Sequence, residues 1–395
     1  MPFFMTQALG AFNDNIFKNA LAALLVFEGS RLAGMNTNQL VNLSALVFIL
    51  PFFLFSALFG QFADKYEKSV QIRRVKLFEL VIMLLATLGF WTNNITLLMF
   101  VLFLLGLQST IFGPIKYGIL PQILRTEELV GGNALIEMGT FVAILGGTIA
   151  GPQLAGIDVG WPYYVSVAGL AVAAAGYLFS LKIPHCAPAD PELKINWNIF
   201  SETVRNLSFI NTNRVVLNSV LGISWFWFFG ATFLVQIPSY SQNVLGGDKN
   251  LMSALLALFI IGISTGSLLC ERLSGKQVEI GLVPFGAIGL TIFGLDLYFA
   301  SPASPTPGIT ATEFLSSGQN WRIIIDLLLI GTFGGFYIVP LYALVQARSE
   351  PGHRSRVIAG LNILNALFMV IAAIMAMLIL GPAGLTIPDL FLISA

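Results

Sequence analysis

Charge is what this sequence has least of. Acidic and basic side chains together fill 10% of its 395 positions and balance to a formal net charge of zero. Without a basic excess there is no electrostatic footprint for nucleic acid, and none is expected as a partner. Cysteine is nearly missing as well. Cys186 and Cys270 are far apart and form no CxxC pair, which excludes a disulfide framework and a cysteine-built metal site. No metal or other cofactor is expected, and no GxxxxGK[ST] phosphate loop points to ATP. A cleaved signal peptide is not expected either, because Phe3–Ala11 lacks a basic flank and no small-residue cleavage site precedes the next span.

Apolar residues are what is there instead: 56% of the chain is hydrophobic and mean hydropathy is +0.83. A soluble chain of this length cannot bury that much apolar surface, so the fold class is an all-α, polytopic membrane protein. Runs long enough to span fall at Phe3–Phe27, Gln39–Ala63, Val75–Trp91, Thr96–Leu120, Leu129–Leu154 and Trp161–Leu181. After a polar linker, more follow at Val215–Ile237, Leu251–Cys270, Ile280–Ala300, Ile323–Val345 and Val357–Leu380. A twelfth apolar start, Leu385–Ala395, is expected to be truncated before it can cross. Basic residues fix an expected orientation. One set of loops holds Lys65, Lys68, Arg73, Arg74, Lys76, Arg125, Lys182, Lys194, Arg205, Arg214, Arg272, Lys276, Arg348, Arg354 and Arg356, whereas the opposite set offers only Arg31 and Lys249. The positive-inside rule then places the N-terminus and the linker in the cytoplasm.

The chain also repeats itself. Gly60–Asp64, ending the second span, has a counterpart in Gly266–Cys270, and Gly106–Tyr117 resembles Gly331–Tyr342, with an insertion at Ser301–Gln319 accounting for the unequal offset. This divides the sequence into an N-terminal six-helix bundle (1–183), a cytoplasmic linker (184–213) and a C-terminal bundle (214–395). Within the linker, Trp197, Phe200, Val204 and Leu207 recur at helical spacing with Asn198, Glu202, Arg205 and Asn206 between them, predicting a short amphipathic helix at the membrane interface.

Inside the first span sit Asn13, Asp14, Asn15, Lys18 and Asn19. Counted from Phe3, Asp14 lies about 16 Å deep in a hydrocarbon core about 30 Å thick. A carboxylate there costs on the order of 3 kcal/mol unless it meets a partner or a cavity. Asp14 and Lys18, one turn apart, can neutralise each other; the three asparagines at the same depth point instead to a polar patch on a transport pathway. Lys116 and Glu137 lie inside the fourth and fifth spans, at depths where they either bridge each other or leave Lys116 as a point charge for a phosphodiester. Asp296 and Glu79 are read as near span ends and within reach of water, and Arg322 and Asp326, one turn apart, as a helix-surface pair. The aromatic runs Trp225–Phe229 and Phe333–Tyr337 suit either an acyl-chain groove or core packing.

Gly60-Gln61-Phe62-Ala63-Asp64-Lys65-Tyr66, followed by Lys68 and Arg73-Arg74, resembles the loop motif after the second helix of the major facilitator superfamily. The resemblance implies two pseudo-symmetric six-helix bundles with a midplane site between them. It also implies gating by Gly60, Asp64, Arg73 and Arg74, with the aspartate latching one conformation. The second-half copy, Glu271–Lys276, is degraded. Gly147–Gly156 partly resembles the fifth-helix glycine–proline motif of the antiporters, or is a plain helix-packing face. More specific are Ala11–Asn15, Phe112–Pro121 and Gly132–Glu137, which look like the bacterial lysophospholipid transporter branch. That resemblance covers essentially the whole chain. It implies a lysophospholipid substrate, a membrane-lipid environment, a bacterial inner-membrane location and a monomer. The binding residues it points to are Asp14, Asn13, Asn15, Lys18, Lys116, Tyr117, Glu137 and Asn133. It is closest to the form fused to a lysophospholipid acyltransferase and an acyl-carrier-protein synthetase, which are therefore expected as fused or associated partners. The implied function is a flippase delivering lysophospholipid to the cytoplasmic leaflet for reacylation. The alternative is a proton-coupled exporter of small amphipathic compounds. An enzyme is not expected: His185 and Asp190 have acyltransferase spacing but lie in a proline-containing linker without a scaffold to position them.

Overall fold

The computed structural model describes residues 1–32, 37–156, 160–275, 278 and 280–395. Lys276, counted above among the basic loop residues and in the degraded second motif, lies outside the described residues, as does the side chain of Arg31. The fold is all-helical. Its main helices are α1 (Pro2–Leu32), α2 (Thr37–Lys65), α3 (Lys68–Trp91), α4 (Ile95–Gly118), α5 (Leu129–Ala155), α6 (Trp161–Ser180) and α7 (Ile199–Asn211). They continue as α8 (Arg214–Ser239), α9 (Lys249–Leu273), α10 (Leu282–Ala300), α11 (Trp321–Arg348), α12 (Arg354–Leu380) and α13 (Ile387–Ser394). Each expected span is a helix, as it must be where no water is present to satisfy the backbone. Polar residues start several of them: Asn94 accepts from the Leu97 N–H to open α4, and Asp248 accepts from the Asn250 and Leu251 N–H groups to open α9.

Nine helical stretches among the described residues are long and apolar enough to cross a membrane by length and composition. Neither α1 nor α3 is in that set. Asn13, Asp14, Asn15, Lys18 and Asn19 lower the hydropathy of α1, and Arg73, Arg74, Lys76 and Glu79 crowd the first half of α3. These two helices carry three of the buried charged residues described below, Asp14, Lys76 and Glu79.

The chain packs as two compact units. The first comprises Met1–Leu124, Val142–Arg214 and Arg348–Ile363; the second comprises Arg125–Phe141, Val215–Ala347 and Leu364–Ala395. In the first, Phe17, Leu21, Leu25, Ile82, Phe90, Leu98, Leu102 and Leu105 form an apolar core shared by α1, α3 and α4. Helices close on one another through small residues, the device lipid-embedded helices rely on. Gly106 of α4 abuts the Phe48 carbonyl of α2, and Gly147 and Gly151 of α5 seat against α1, where a Cβ would meet the Phe12 and Ile16 carbonyls at 2.8 and 2.7 Å. The glycine–proline stretch therefore serves at least as a packing face.

The second unit repeats the device: Gly331 of α11 abuts the Phe259 carbonyl of α9, and Gly266 of α9 abuts that of Thr332. Gly106 and Gly331, matched in the sequence repeat, thus make equivalent contacts. The aromatic runs pack largely on each other. Phe226 stacks on Tyr337 (6.2 Å), Trp225 meets Tyr337 edge-on (5.5 Å), and Phe229 stacks on Phe233 (4.3 Å), which stacks in turn on Phe391 of α13 (4.4 Å).

Helix α7 is amphipathic as expected, but it is the polar side that turns inward. Glu202 and Asn206 are fully buried while Trp197, Phe200 and Val204 are exposed. Asn206 donates to the Ala57 carbonyl (3.5 Å), and just upstream Gln61 and Asn196 exchange two hydrogen bonds (3.0 and 2.8 Å) that tie the linker to α2.

Candidate functional site

Three helices of the first unit converge on one buried polar network. Helix α1 brings Asn13 and Asp14, α3 brings Lys76 and Glu79, and α4 brings Gln108 and Ser109. Lys76 and Glu79 stand at i and i+3 on one face and pair at 2.6 Å with both side chains 1% exposed. Glu79 then accepts from Asn13 Nδ2 (2.9 Å) and Gln108 Nε2 (3.3 Å). Ser109 Oγ donates to Asp14 Oδ2 (2.7 Å) and also faces Gln108 Oε1 (3.3 Å). This overturns the reading of Glu79 as a span-end residue that reaches water. Helix α3 starts at Lys68, not at Val75, so Glu79 lies about 16 Å along it. A charge at that depth persists only when paired and hydrogen-bonded, and Glu79 is both.

Asp14 is only 8% exposed. Its Oδ2 has the Ser109 hydroxyl, whereas its Oδ1 has no hydrogen-bond partner among the described residues. Lys18 forms no ion pair with it there; the Lys18 ammonium lies over the Phe48 ring, 4.4 Å from the centroid. Within α1 the two charges act on each other across space without a direct ion pair. The neighbouring asparagines part company. Asn13 belongs to the network, while Asn15 donates back to the Ala11 carbonyl (2.8 Å) and Asn19 to that of Asn15 (2.8 Å), on the face that Gly147 and Gly151 cover.

On α4, the Lys116 ammonium stands over the ring of Tyr117 at 4.9 Å, and Tyr117 is buried. Both belong to the first unit, whereas Glu137 and Asn133 belong to the second, where both are fully buried on α5. Asn133 and Gln346 of α11 exchange a reciprocal amide pair, Nδ2 to Oε1 at 2.7 Å and Nε2 to Oδ1 at 2.9 Å. The Asn133 amide is engaged in holding α5 to α11. Asn133→Ala strands the buried Gln346 amide and is expected to destabilise the protein by about 1–3 kcal/mol. Thermal unfolding in detergent checks this, and Asn133→Ala with Gln346→Leu should recover part of the loss.

Two of the residues expected to gate, Gly60 and Asp64, belong to a second cluster. Asp64, fully buried at the end of α2, accepts from the Ser355 and Arg356 N–H groups (3.0 and 3.2 Å) and from Arg356 Nε (3.2 Å). It thus caps the start of α12 as well as pairing with a charge there. Gly60, one turn earlier, permits the approach: a Cβ there would stand 2.6 Å from that of Ala359. The linker joins in, since the Ala189 and Asp190 N–H groups donate to the Asp64 carbonyl (3.0 and 2.9 Å) and Asp190 pairs with Arg356 (3.4 Å). Arg73 donates to the Ile183 carbonyl (3.3 Å), and Arg74 is exposed. His185 stands 3.8 Å from Glu67, not against Asp190. Burial raises the Glu67 pKa, but hydrogen bonds from the Ser69 hydroxyl and the Cys186 N–H outweigh it and hold that carboxyl below its usual range.

At the other end of α11, Arg322 pairs with Asp296 of α10 and not with Asp326, which is itself buried. The surface-pair reading fails because i, i+4 spacing brings two side chains near each other but does not exclude a better partner on the next helix.

The chain matches the Major Facilitator Superfamily over residues 3–373. It is similar to the lysophospholipid transporter LplT of Escherichia coli O157:H7 (28% identity over 354 residues, 88% of this chain and 79% of the relative). The lysophospholipid transporter LplT of Escherichia fergusonii is 30% identical over 355 residues, with the same coverage. Among solved structures, the fold resembles that of the E. coli fucose:proton symporter FucP (TM-score 0.70, 12% identity, covering 99% of this chain and 94% of that one). It also resembles the human organic anion transporter MFSD10 (TM-score 0.70, 14% identity, covering 100% and 97%).

Proposed function

Because the chain belongs to the Major Facilitator Superfamily, a family of multi-pass membrane transporters, we propose that it carries lysophospholipids, such as 2-acyl-glycerophosphoethanolamine, across the bacterial inner membrane by alternating access. The cargo is delivered to the cytoplasmic leaflet for reacylation. The observation that carries this reading is Asp14: a buried carboxylate with one oxygen left without a partner among the described residues, in a chain similar to lysophospholipid transporters. Lys116 supplies the charge for the phosphate that all such lipids share, and Asp14 meets the ammonium or hydroxyl end of the head group. The chain is a transporter and not an enzyme; the acyl transfer that follows belongs to a fused or associated acyltransferase and acyl-carrier-protein synthetase. The transporter acts as a monomer.

The competing reading, a proton-coupled exporter of small amphipathic compounds, draws on the Gly147–Gly156 glycine–proline stretch and on the buried carboxylates Asp14 and Glu137. Collapsing the proton gradient across vesicles separates the two. Lysophospholipid movement should continue in a facilitator and should stop in a coupled exporter.

The architecture that goes with the proposal is two six-helix halves, 1–183 and 214–395, with the N-terminus and the 184–213 linker in the cytoplasm. Lys194 and Arg205 are exposed in the linker. Cysteine introduced at either position is expected to react with a membrane-impermeant maleimide only from the cytoplasmic side, and periplasmic labelling would refute the orientation.

A further inference from the structure

A buried carboxylate beside two lysines is normally neutralised by one of them, yet neither lysine is paired with Asp14. Lys18, one turn on, is held over the Phe48 ring. Lys76 is held by Glu79 in a slot cut for it. A Cβ at Gly10 of α1 would strike the Lys76 ammonium, and one at Gly176 of α6 would stand 3.6 Å from it. Gly10 precedes Asp14 by one turn, about 6 Å along the helix. The Lys76 ammonium therefore rests about one helical turn from the position of Asp14 and is kept on Glu79 instead. Asn13 and Gln108 secure Glu79 from α1 and α4, so the carboxylate that holds the lysine is itself fixed from two sides. Asp14 is left with a neutral donor, Ser109, on one oxygen and none on the other among the described residues.

We propose that Glu79 is a specificity-determining residue: by holding Lys76 it keeps the Asp14 carboxylate available for a cationic head group, so that ammonium-bearing lysophospholipids are favoured over those ending in a hydroxyl. Glu79 never touches the lipid. It acts by keeping Lys76 from forming a direct ion pair with Asp14. The inference rests on the head-group role of Asp14 proposed above.

The test is uptake of ethanolamine and glycerol lysophospholipids, measured side by side in proteoliposomes and reported as their ratio, which does not depend on how much protein folds. Glu79→Gln frees the Lys76 ammonium to pair with Asp14 and is expected to lower the ethanolamine-to-glycerol ratio by about tenfold, the worth of one charge-assisted hydrogen bond. Lys76→Met combined with Glu79→Gln removes both charges in side chains of similar size, an exchange proteins often tolerate. It should return the ratio toward that of the unmodified protein. Gly10→Ala displaces the ammonium while keeping the Glu79 carboxylate, with the new Cβ 3.7 Å from Glu79 Oε2, and should lower the ratio in the same way, which keeps the proposal testable if Glu79→Gln alone does not fold. Equal loss for both lipids in Glu79→Gln, or no recovery in the double variant, overturns it. Asp14→Asn in the same vesicles separates the two layers. If Asp14→Asn shifts the ratio and the Glu79 and Gly10 variants do not, Glu79 has no such role and the head-group reading stands. If Asp14→Asn leaves the ratio unchanged, the head-group reading itself is wrong.

Discussion

Asparagine in place of Asp64 should slow lysophospholipid turnover by roughly a hundredfold while leaving substrate affinity close to that of the unmodified protein. The carboxylate holds the start of α12 in three ways: two backbone N–H groups, the Arg356 guanidinium and the negative charge that a helix N-terminus favours. Asparagine preserves the shape and one acceptor but leaves the buried Arg356 without its full counter-charge. Removing one partner of a buried pair costs about 3 kcal/mol or more, and 1.4 kcal/mol is a factor of ten. If α12 must leave α2 and return in each cycle, that loss falls on the balance between conformations and not on the lipid. Binding measured at equilibrium and turnover measured in vesicles distinguish the cases. A large loss of affinity with unchanged turnover would show that Asp64 is not part of a latch.

The second large effect is expected at the head group. Lys116→Ala should weaken transport of ethanolamine and glycerol lysophospholipids alike, because both carry the phosphate. Asp14→Asn keeps size and hydrogen bonding but removes the charge, so it should harm the ethanolamine lipid more. A hydrogen bond between charged groups is worth about 1.5–3 kcal/mol, or roughly ten- to a hundredfold in affinity. Equal loss on both lipids for Asp14→Asn, together with a lowered unfolding temperature, would make Asp14 a structural residue.

Much of this was legible in the sequence because lipid leaves a chain few options. Backbone groups must be satisfied within helices, so the spans read as long apolar runs, and a polar cluster inside one, Asn13 to Asn19, stands out at once. The latch was legible through Gly60 and Asp64, whose residue types already imply close approach and capping. Pairings across long separations were not legible. Asn133 and Gln346 stand 213 residues apart, and nothing in the spacing of either names the other. Lys76 reads as part of a basic loop because the apolar run begins only at Val75, seven residues after the helix itself starts at Lys68, and the same late start makes Glu79 look peripheral. Gln108 and Ser109 sit together in an apolar run. That is a weaker form of the signal that marked Asn13 and Asp14, and it would have led to the same network.

The central claim is most directly tested by uptake of labelled lysophosphatidylethanolamine into proteoliposomes containing the purified chain, with diacyl phosphatidylethanolamine and protein-free vesicles as controls. Uptake of the lysolipid well above protein-free vesicles, with the diacyl lipid at background, is the predicted result. Equal movement of both lipids, or lysolipid uptake no faster than in protein-free vesicles, would contradict it.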